Sequence, residues 1–312
     1  MSVSRLVVVL AALWVLPLHA EDRNCTDPEK ATADKLLFLN TKDKAAAVER
    51  HLPWGVPKAG GSDTVVLAHW DYVMLYSTTL RVPIWTAHRI EPKGLDTVSG
   101  RIECFRQDPR VDSPKATLPG DYDEPDFDQG HLVPSEDLSH RIPENVNSFI
   151  MSNMTPQYGP FNRIIWKRLE TQARNWAKAY KNVYVISGSI FDSDGDGKPD
   201  ADGSIKRMKA RNGSKRVAIP SHFYKIIVRK CGNGKASTLA FVLPNEKKSH
   251  SGSAGAQFLE ASRKSIADIE QLTGLGFFRS GEGAKIERTN AHAMWPLKPA
   301  AGASAAADCG DT

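Results

Sequence analysis

Three short stretches stand in order within residues 128–170: Asp128-Gln129-Gly130-His131, then Ser152-Asn153-Met154-Thr155-Pro156-Gln157, then Asn162-Arg163-Ile164-Ile165-Trp166-Lys167-Arg168-Leu169-Glu170. His131 follows a loop, 107–127, that is loaded with Asp and Pro. A neutral imidazole is the side chain best suited to take a proton from water near neutral pH. Gly130 beside it lets the backbone come close to a bulky ligand. Downstream, Ile164, Ile165, Leu169, Ala173, Trp176 and Ala177 recur at helical spacing and predict a helix from Phe161 to Tyr180. Asn162 lies at its start and Glu170 eight residues on. At an α-helical pitch those two side chains point within roughly 80° of each other, two turns apart. An amide oxygen and a carboxylate can therefore be aimed into one region, a donor set that suits a hard cation retaining some of its water. Each residue also has a plain reading: a surface histidine, an asparagine helix cap, and a glutamate on a solvated helix face.

Outward from this stretch, strands and helices are mixed. Tyr72–Tyr76 and Pro83–Ala87 are rich in β-branched and aromatic residues, and Thr78-Thr79-Leu80 between them suits a hairpin. Asn182–Ile190 reads as a buried strand, and Val217–Ile219, Tyr224–Val228 and Leu239–Leu243 as further strands. Residues 21 to about 50 are helix-prone, and a helix near Ser262–Leu272 would be capped by Gly274. Without regular βαβ alternation, the class is α+β, with a mixed or antiparallel sheet as core.

The three stretches resemble the signature of the DNA/RNA non-specific endonuclease family: Asp-Arg-Gly-His, Ser-Asn-x-x-Pro-Gln and Asn-x-x-x-Trp-x-x-Leu-Glu, in that order. Similar family segments flank them, from His51-Leu52-Pro53-Trp54-Gly55-Val56-Pro57 to Ile269-Glu270-Gln271-Leu272-Thr273-Gly274. The resemblance thus covers roughly residues 50–280 and implies one nuclease domain, 21–298, built on a ββα-metal (His-Me finger) motif. It implies that His131 activates water, that Asn162 binds one Mg²⁺ ion (with Mn²⁺ as a substitute), that Glu170 holds the ion's water, and that Asn153 orients the site. Non-specific hydrolysis of DNA and RNA to 5′-phosphate products is the implied activity. One departure is Gln129, which stands where the family has Arg, so a neutral amide replaces a cation at a phosphate-facing place. A second family Arg falls at Glu103 when Ser99-Gly100 and Asp108-Pro109 are aligned. Arg101, Arg106 and Arg163 are candidates to supply the missing charge, with Arg163 favoured beside the proposed metal ligand. Gln129 and Arg163 are accordingly the expected substrate contacts. The departures leave an impaired nucleic-acid-binding domain of the same fold as an alternative.

Phe191–Gly203 is acidic and Gly-rich, and Asp192-Ser193-Asp194-Gly195-Asp196-Gly197 has the Asp-x-Asp-x-Asp-Gly spacing of a calcium loop. Asp192, Asp194 and Asp196 are the expected ligands, with Asp200 and Asp202 nearby. The twelfth position, normally a bidentate Glu, is Gly203. A calcium-binding structural protein is a further alternative. Sequons occur at Asn24 and Asn212.

Residues 1–20 read as a secretory signal peptide: Arg5, an apolar run from Leu6 to Leu18, and Ala20 at the cleavage point. That predicts a secreted or periplasmic protein, and no later stretch is apolar enough to span a bilayer. Export agrees with four cysteines, Cys25, Cys104, Cys231 and Cys309, none in a CxxC pair. Two disulfides are expected, with connectivity open, and the wide spacing argues against zinc. The formal net charge of +5 falls to +4 once Arg5 leaves with the leader. So modest a surplus is compatible with a polyanionic substrate without requiring one. Residues 299–312 form an Ala/Gly-rich tail.

Overall fold

The computed structural model describes residues 22–58, 63–95, 100–181, 183–209, 215–231, 235–290 and 292–297. The leader, the tail with Cys309, and the Asn212 sequon lie outside the described residues. In chain order the strands are β1 (Arg23–Asn24), β2 (Thr64–Ala68), β3 (Val73–Ser77), β4 (Val82–Ile90), β5 (Ile102–Glu103), β6 (Phe127–His131), β7 (Met154–Tyr158), β8 (Val183–Ile190), β9 (Arg207–Lys209), β10 (Lys215–Ala218), β11 (His222–Lys230) and β12 (Ala236–Pro244). The helices are α1 (Asp27–Lys35), α2 (Thr41–His51), α3 (Ile142–Ser148), α4 (Lys167–Tyr180), α5 (Gly252–Ala261) and α6 (Ile266–Thr273).

Six strands form the central sheet in the order β12-β11-β8-β4-β3-β2, and every neighbouring pair is antiparallel. Side chains alternate across a strand, and β8 uses both faces. Val183 and Val185 pack with Leu169, Ala173 and Trp176 of α4. Tyr184 and Ile186 pack on the other side with Ala47 of α2 and Ile266 and Ile269 of α6. The result is three layers, helix–sheet–helix. Each large apolar side chain buried in these interfaces stabilises by roughly 1.5–3 kcal/mol.

The expected helix near Ser262–Leu272 divides in two. Ser262 caps the C-terminus of α5, while α6 begins after Ser265, whose hydroxyl accepts from the backbone N–H of Asp268. Gly274 caps α6 in the left-handed conformation, φ 68°. The strand expected at Val217–Ile219 is β10, which pairs with β9 outside the central sheet. Cys25 and Cys104 are joined by a disulfide, and no described cysteine is free. No helix among the described residues is long and apolar enough to cross a membrane.

The sheet and α4 carry the part that matters for chemistry. β6 and β7 pair antiparallel, with His131 opposite Met154 and Gly130 opposite Thr155. The chain then enters a single π-helical stretch, Phe161–Trp166, which runs directly into α4. Two strands followed by a helix give the ββα arrangement. Asn245 ties it to the central sheet: its Nδ2 donates to the carbonyls of Pro156 and Pro220, and its Oδ1 accepts from the Tyr158 N–H.

Candidate active site

A cleft of about 520 Å³ opens where β6 meets the start of α4, and His131, Asn162, Glu170, Gln129 and Arg163 all line it. His131 ends β6 and is held through its backbone. Trp166 Nε1 donates to the His131 carbonyl at 3.1 Å, and the Leu132 N–H donates to the Asn153 carbonyl at 3.1 Å. The imidazole stands edge-on to Phe149, 4.7 Å between ring centres. Burial, with the Arg101 charge adding to it, pushes its pKa down to about 3. The ring is therefore neutral at physiological pH, and its Nε2 has no hydrogen-bond partner. A neutral imidazole with a nitrogen uncommitted to protein is equipped to accept a proton.

Gly130 is required for a different reason from the one its sequence position implies. A Cβ there would meet the Gln157 side chain at 2.2 Å. Gln157 is fully buried, so the close approach is to the protein's own side chain across the β6–β7 pair, not to a ligand.

Asn162 is not a helix cap. The π-helical stretch starts after Pro160, and Asn162 Nδ2 donates to Asp128 Oδ2 at 2.9 Å. That bond fixes the amide and leaves Oδ1 as the atom available to the cleft. The π turn also explains why Asn162 and Glu170 share a site. Its hydrogen bonds span five residues, as in Lys167 N–H to the Asn162 carbonyl, so it rotates less per residue than an α-turn. Eight steps then overshoot two full turns by less than the roughly 80° of a uniform α-helix.

Glu170 is buried at the cleft floor, not on a solvated helix face. Burial pushes its carboxyl up, opposed by the nearby Lys225 ammonium. Lys225 is buried too; its Nζ donates to Ser187 Oγ at 2.8 Å and lies 4.2 Å from the Trp166 ring centre. Burial pushes the Lys225 ammonium down. Behind them Asp137 joins His88 Nε2 and Arg174 Nη1, each at 2.9 Å.

Asn153 does not line the cleft. It is wholly buried, its Oδ1 accepts from the Val133 N–H, and its Nδ2 donates to the carbonyls of Val133 and Ser148. It clamps the chain just beyond His131, which makes it a positioning residue and not one of the groups that meet substrate.

Of the cations considered, Arg106 is excluded. It is buried against Asp34 and the carbonyls of Cys104 and Val146, away from the cleft. Arg163 lines the cleft but is committed to Asp128 through two hydrogen bonds, 2.9 and 2.6 Å. Arg101 lines it as well, over the Phe149 ring at 4.7 Å and paired with Glu103 at 2.8 Å. Gln129 reaches the Pro119 carbonyl at 3.3 Å. Asp128 was not singled out by sequence reasoning, yet it fixes both Asn162 and Arg163; its place at the head of the first stretch was the available signal.

A profile of the DNA/RNA non-specific endonuclease family matches residues 56–282. The chain belongs to that family. It is 32% identical over 236 residues to nuclease C1 of Cunninghamella echinulata var. echinulata, covering 74% of this chain and 88% of the relative. It is 30% identical over 261 residues to mitochondrial endonuclease G of Bos taurus, covering 80% and 84%. The fold is similar to that of a chain in the crystal structure of an EndoG/EndoGI complex, with a TM-score of 0.63, 28% identity, and 74% and 91% of the two chains covered. As a member of the family the protein is an endonuclease, and its ββα element is the family's architecture.

A second acidic site lies apart from the endonuclease cleft. Asp192, Asp194 and Asp200 bring carboxylate oxygens within 4.8 Å of one another. Asp196, expected as a ligand, is replaced by Asp200: its Oδ1 is taken by the Lys198 N–H at 2.9 Å. The loop closes because Asp200 Oδ2 accepts from the Ser193 N–H at 3.0 Å. Asp192 is 5% exposed and its Oδ1 has no hydrogen-bond partner.

Proposed function

We propose that the protein is an exported, Mg²⁺-dependent endonuclease that hydrolyses DNA and RNA without base or sugar preference and leaves 5′-phosphate ends. The observation that carries this reading is the convergence, in one cleft, of a neutral His131 with an unpartnered Nε2, an Asn162 amide turned by Asp128, and the Glu170 carboxylate. One neutral oxygen ligand and a cleft open to water suit Mg²⁺, which keeps several waters, and Mn²⁺ in its place. Bound at Asn162, the ion supplies charge that offsets the negative charge developing on the phosphate and on the departing 3′ oxygen. His131 Nε2 takes a proton from a water held near Glu170. The water oxygen forms a bond to phosphorus as the bond to the 3′ oxygen breaks; that oxygen takes a proton from solvent water, and the phosphate stays on the 5′ end. Arg101 and the Gln129 amide face the sugar-phosphate backbone, which carries little base information.

The test is nicking of supercoiled plasmid and cleavage of RNA in Mg²⁺, then in EDTA. Activity in Mg²⁺ alone, with products that a kinase labels only after phosphatase treatment, is the expected result. Equal cleavage in EDTA would refute the metal, and fragments labelled directly would refute the 5′-phosphate. Export is supported by the apolar leader Leu6–Leu18, and mass determination of the mature N-terminus should find Glu21. For the acidic loop we propose a structural Ca²⁺ held by Asp192, Asp194 and Asp200, because the buried, unpartnered Asp192 oxygen calls for a cation. Ca²⁺ should raise the melting temperature of the native protein and not of Asp192→Asn.

A further inference from the structure

The cations of the cleft wall are each already paired with a carboxylate of the same wall. Arg101 pairs with Glu103 at 2.8 Å, Arg163 with Asp128 at 2.6 Å, and Lys167 with Glu136 at 3.4 Å. Glu170 is left over, so the lining holds three cations against four carboxylates. The layer behind adds Lys225 and Arg174 against Asp137, so five cations stand against five carboxylates and no surplus results. The protein's net +5 therefore does not reside in the cleft. Gln129 and Glu103 deepen the effect, since a neutral and an acidic residue stand where family cations are expected. A polyanion is drawn into a cleft by a field of opposite sign, and these residues alone do not provide one.

We infer that this cleft takes up its divalent cation first and that nucleic acid binds productively only to the loaded cleft. This rests on the endonuclease reading above and adds an order of binding to it. A doubly charged ion at Asn162 turns the lining from a deficit of one into a surplus of one. Each phosphate oxygen then has the ion to meet, and the wall's arginines can release their carboxylates for it. Because the two ligands favour each other's binding, each must tighten the other by the same factor.

The experiment uses the full chain carrying His131→Ala, which stops cleavage and leaves the cleft charges in place. Binding of a short fluorescent duplex is measured by anisotropy in EDTA and in Mg²⁺ at equal ionic strength. Affinity should rise roughly ten- to a hundredfold in Mg²⁺, within the usual range of coupling between sites. Screening by the ion acts in the opposite direction, weakening attachment to DNA, so a gain is not a solvent effect. Calorimetric titration of Mg²⁺ with and without the duplex should give the same factor, and Asn162→Ala on the same background should remove it. Glu103→Gln with Glu136→Gln converts the deficit to a surplus without metal and should restore binding in EDTA; both side chains are about half exposed, at 45% and 48%, so folding is not at stake. Equal affinity in EDTA and Mg²⁺, with the native protein still nicking plasmid, overturns the order and spares the endonuclease reading. No binding in either medium, with no nicking by the native protein, overturns both.

Discussion

At the scale of single residues, the proposed chemistry turns on His131. Replacing it with alanine should lower turnover by roughly a hundred- to ten-thousandfold, the usual contribution of a positioned base, while the circular dichroism spectrum stays native. Turnover within a few-fold of the native value would show that another group takes the proton. The cation question has a sharper expected answer than the sequence allowed. Arg163 is locked to Asp128 by two hydrogen bonds, whereas the Arg101 side chain makes one, to Glu103, and otherwise lies over the Phe149 ring. Arg101→Ala should therefore reduce kcat/KM by about tenfold or more, equivalent to about 1.4 kcal/mol of lost stabilisation, and by more than Arg163→Ala does. The reverse ranking in steady-state kinetics would return the phosphate contact to Arg163. That His131, Asn162 and Glu170 share a cleft was legible from the three family-like stretches, whereas the roles given to them rest on the resemblance. Arg101 was a candidate but not the favoured one, because its place depends on a ring, Phe149, that approaches from distant sequence. Likewise the loop spacing suggested Asp196, but only the folded loop shows Asp200 turning back to Asp192 and Asp194.

At the scale of elements, the β6–β7 pair and α4 are a unit held by buried polar side chains. Asn153→Ala would strip partners from the Val133 N–H and from two carbonyls. A loss of about 3 kcal/mol or more follows from leaving such groups unsatisfied, and urea unfolding would register it as a lower midpoint. An unchanged midpoint would mean that water replaces the side chain and that the clamp is dispensable. The strands β3, β4, β8, β11 and β12 and the long helix were readable from apolar patterning. Three of the elements that were not show why. β2 is an edge strand with Val66 half exposed. α3, Ile142-Pro143-Glu144-Asn145-Val146-Asn147-Ser148, lacks an apolar stripe; it is held by side-chain bonds such as Asn147 Nδ2 to the Ala33 carbonyl. α5 opens with Gly252-Ser253-Ala254-Gly255, a composition that reads as loop. The π turn was equally invisible, since no residue type demands it.

At the scale of the whole molecule, the three-layer packing buries histidines in neutral form. His51 Nε2 meets the Trp70 carbonyl at 2.7 Å while its Nδ1 accepts from the Arg89 N–H; burial pushes its pKa down to about 3. His69 is pushed down as well, by burial and by Arg110. In the unfolded chain both would take up protons near pH 6.5. Below that pH the unfolded state binds more protons, so stability is lost as pH falls, by about 1.4 kcal/mol per pH unit for each such histidine. Melting temperature should decline as pH falls below 6.5, and a profile level down to pH 4 would contradict the burial. The disulfide acts at the same scale. Closing a span of 79 residues, the Cys25–Cys104 bond should be worth about 4 kcal/mol, seen as a lower melting temperature in reductant. It also fastens the stretch that holds Glu103 and Phe105, both part of the cleft wall, to the N-terminal arm. A ribosome releases this chain with that fastening open. Until an oxidant is met, this side of the cleft wall is joined to the N-terminal arm by non-covalent contacts alone, so the chain gains its last covalent link only after synthesis.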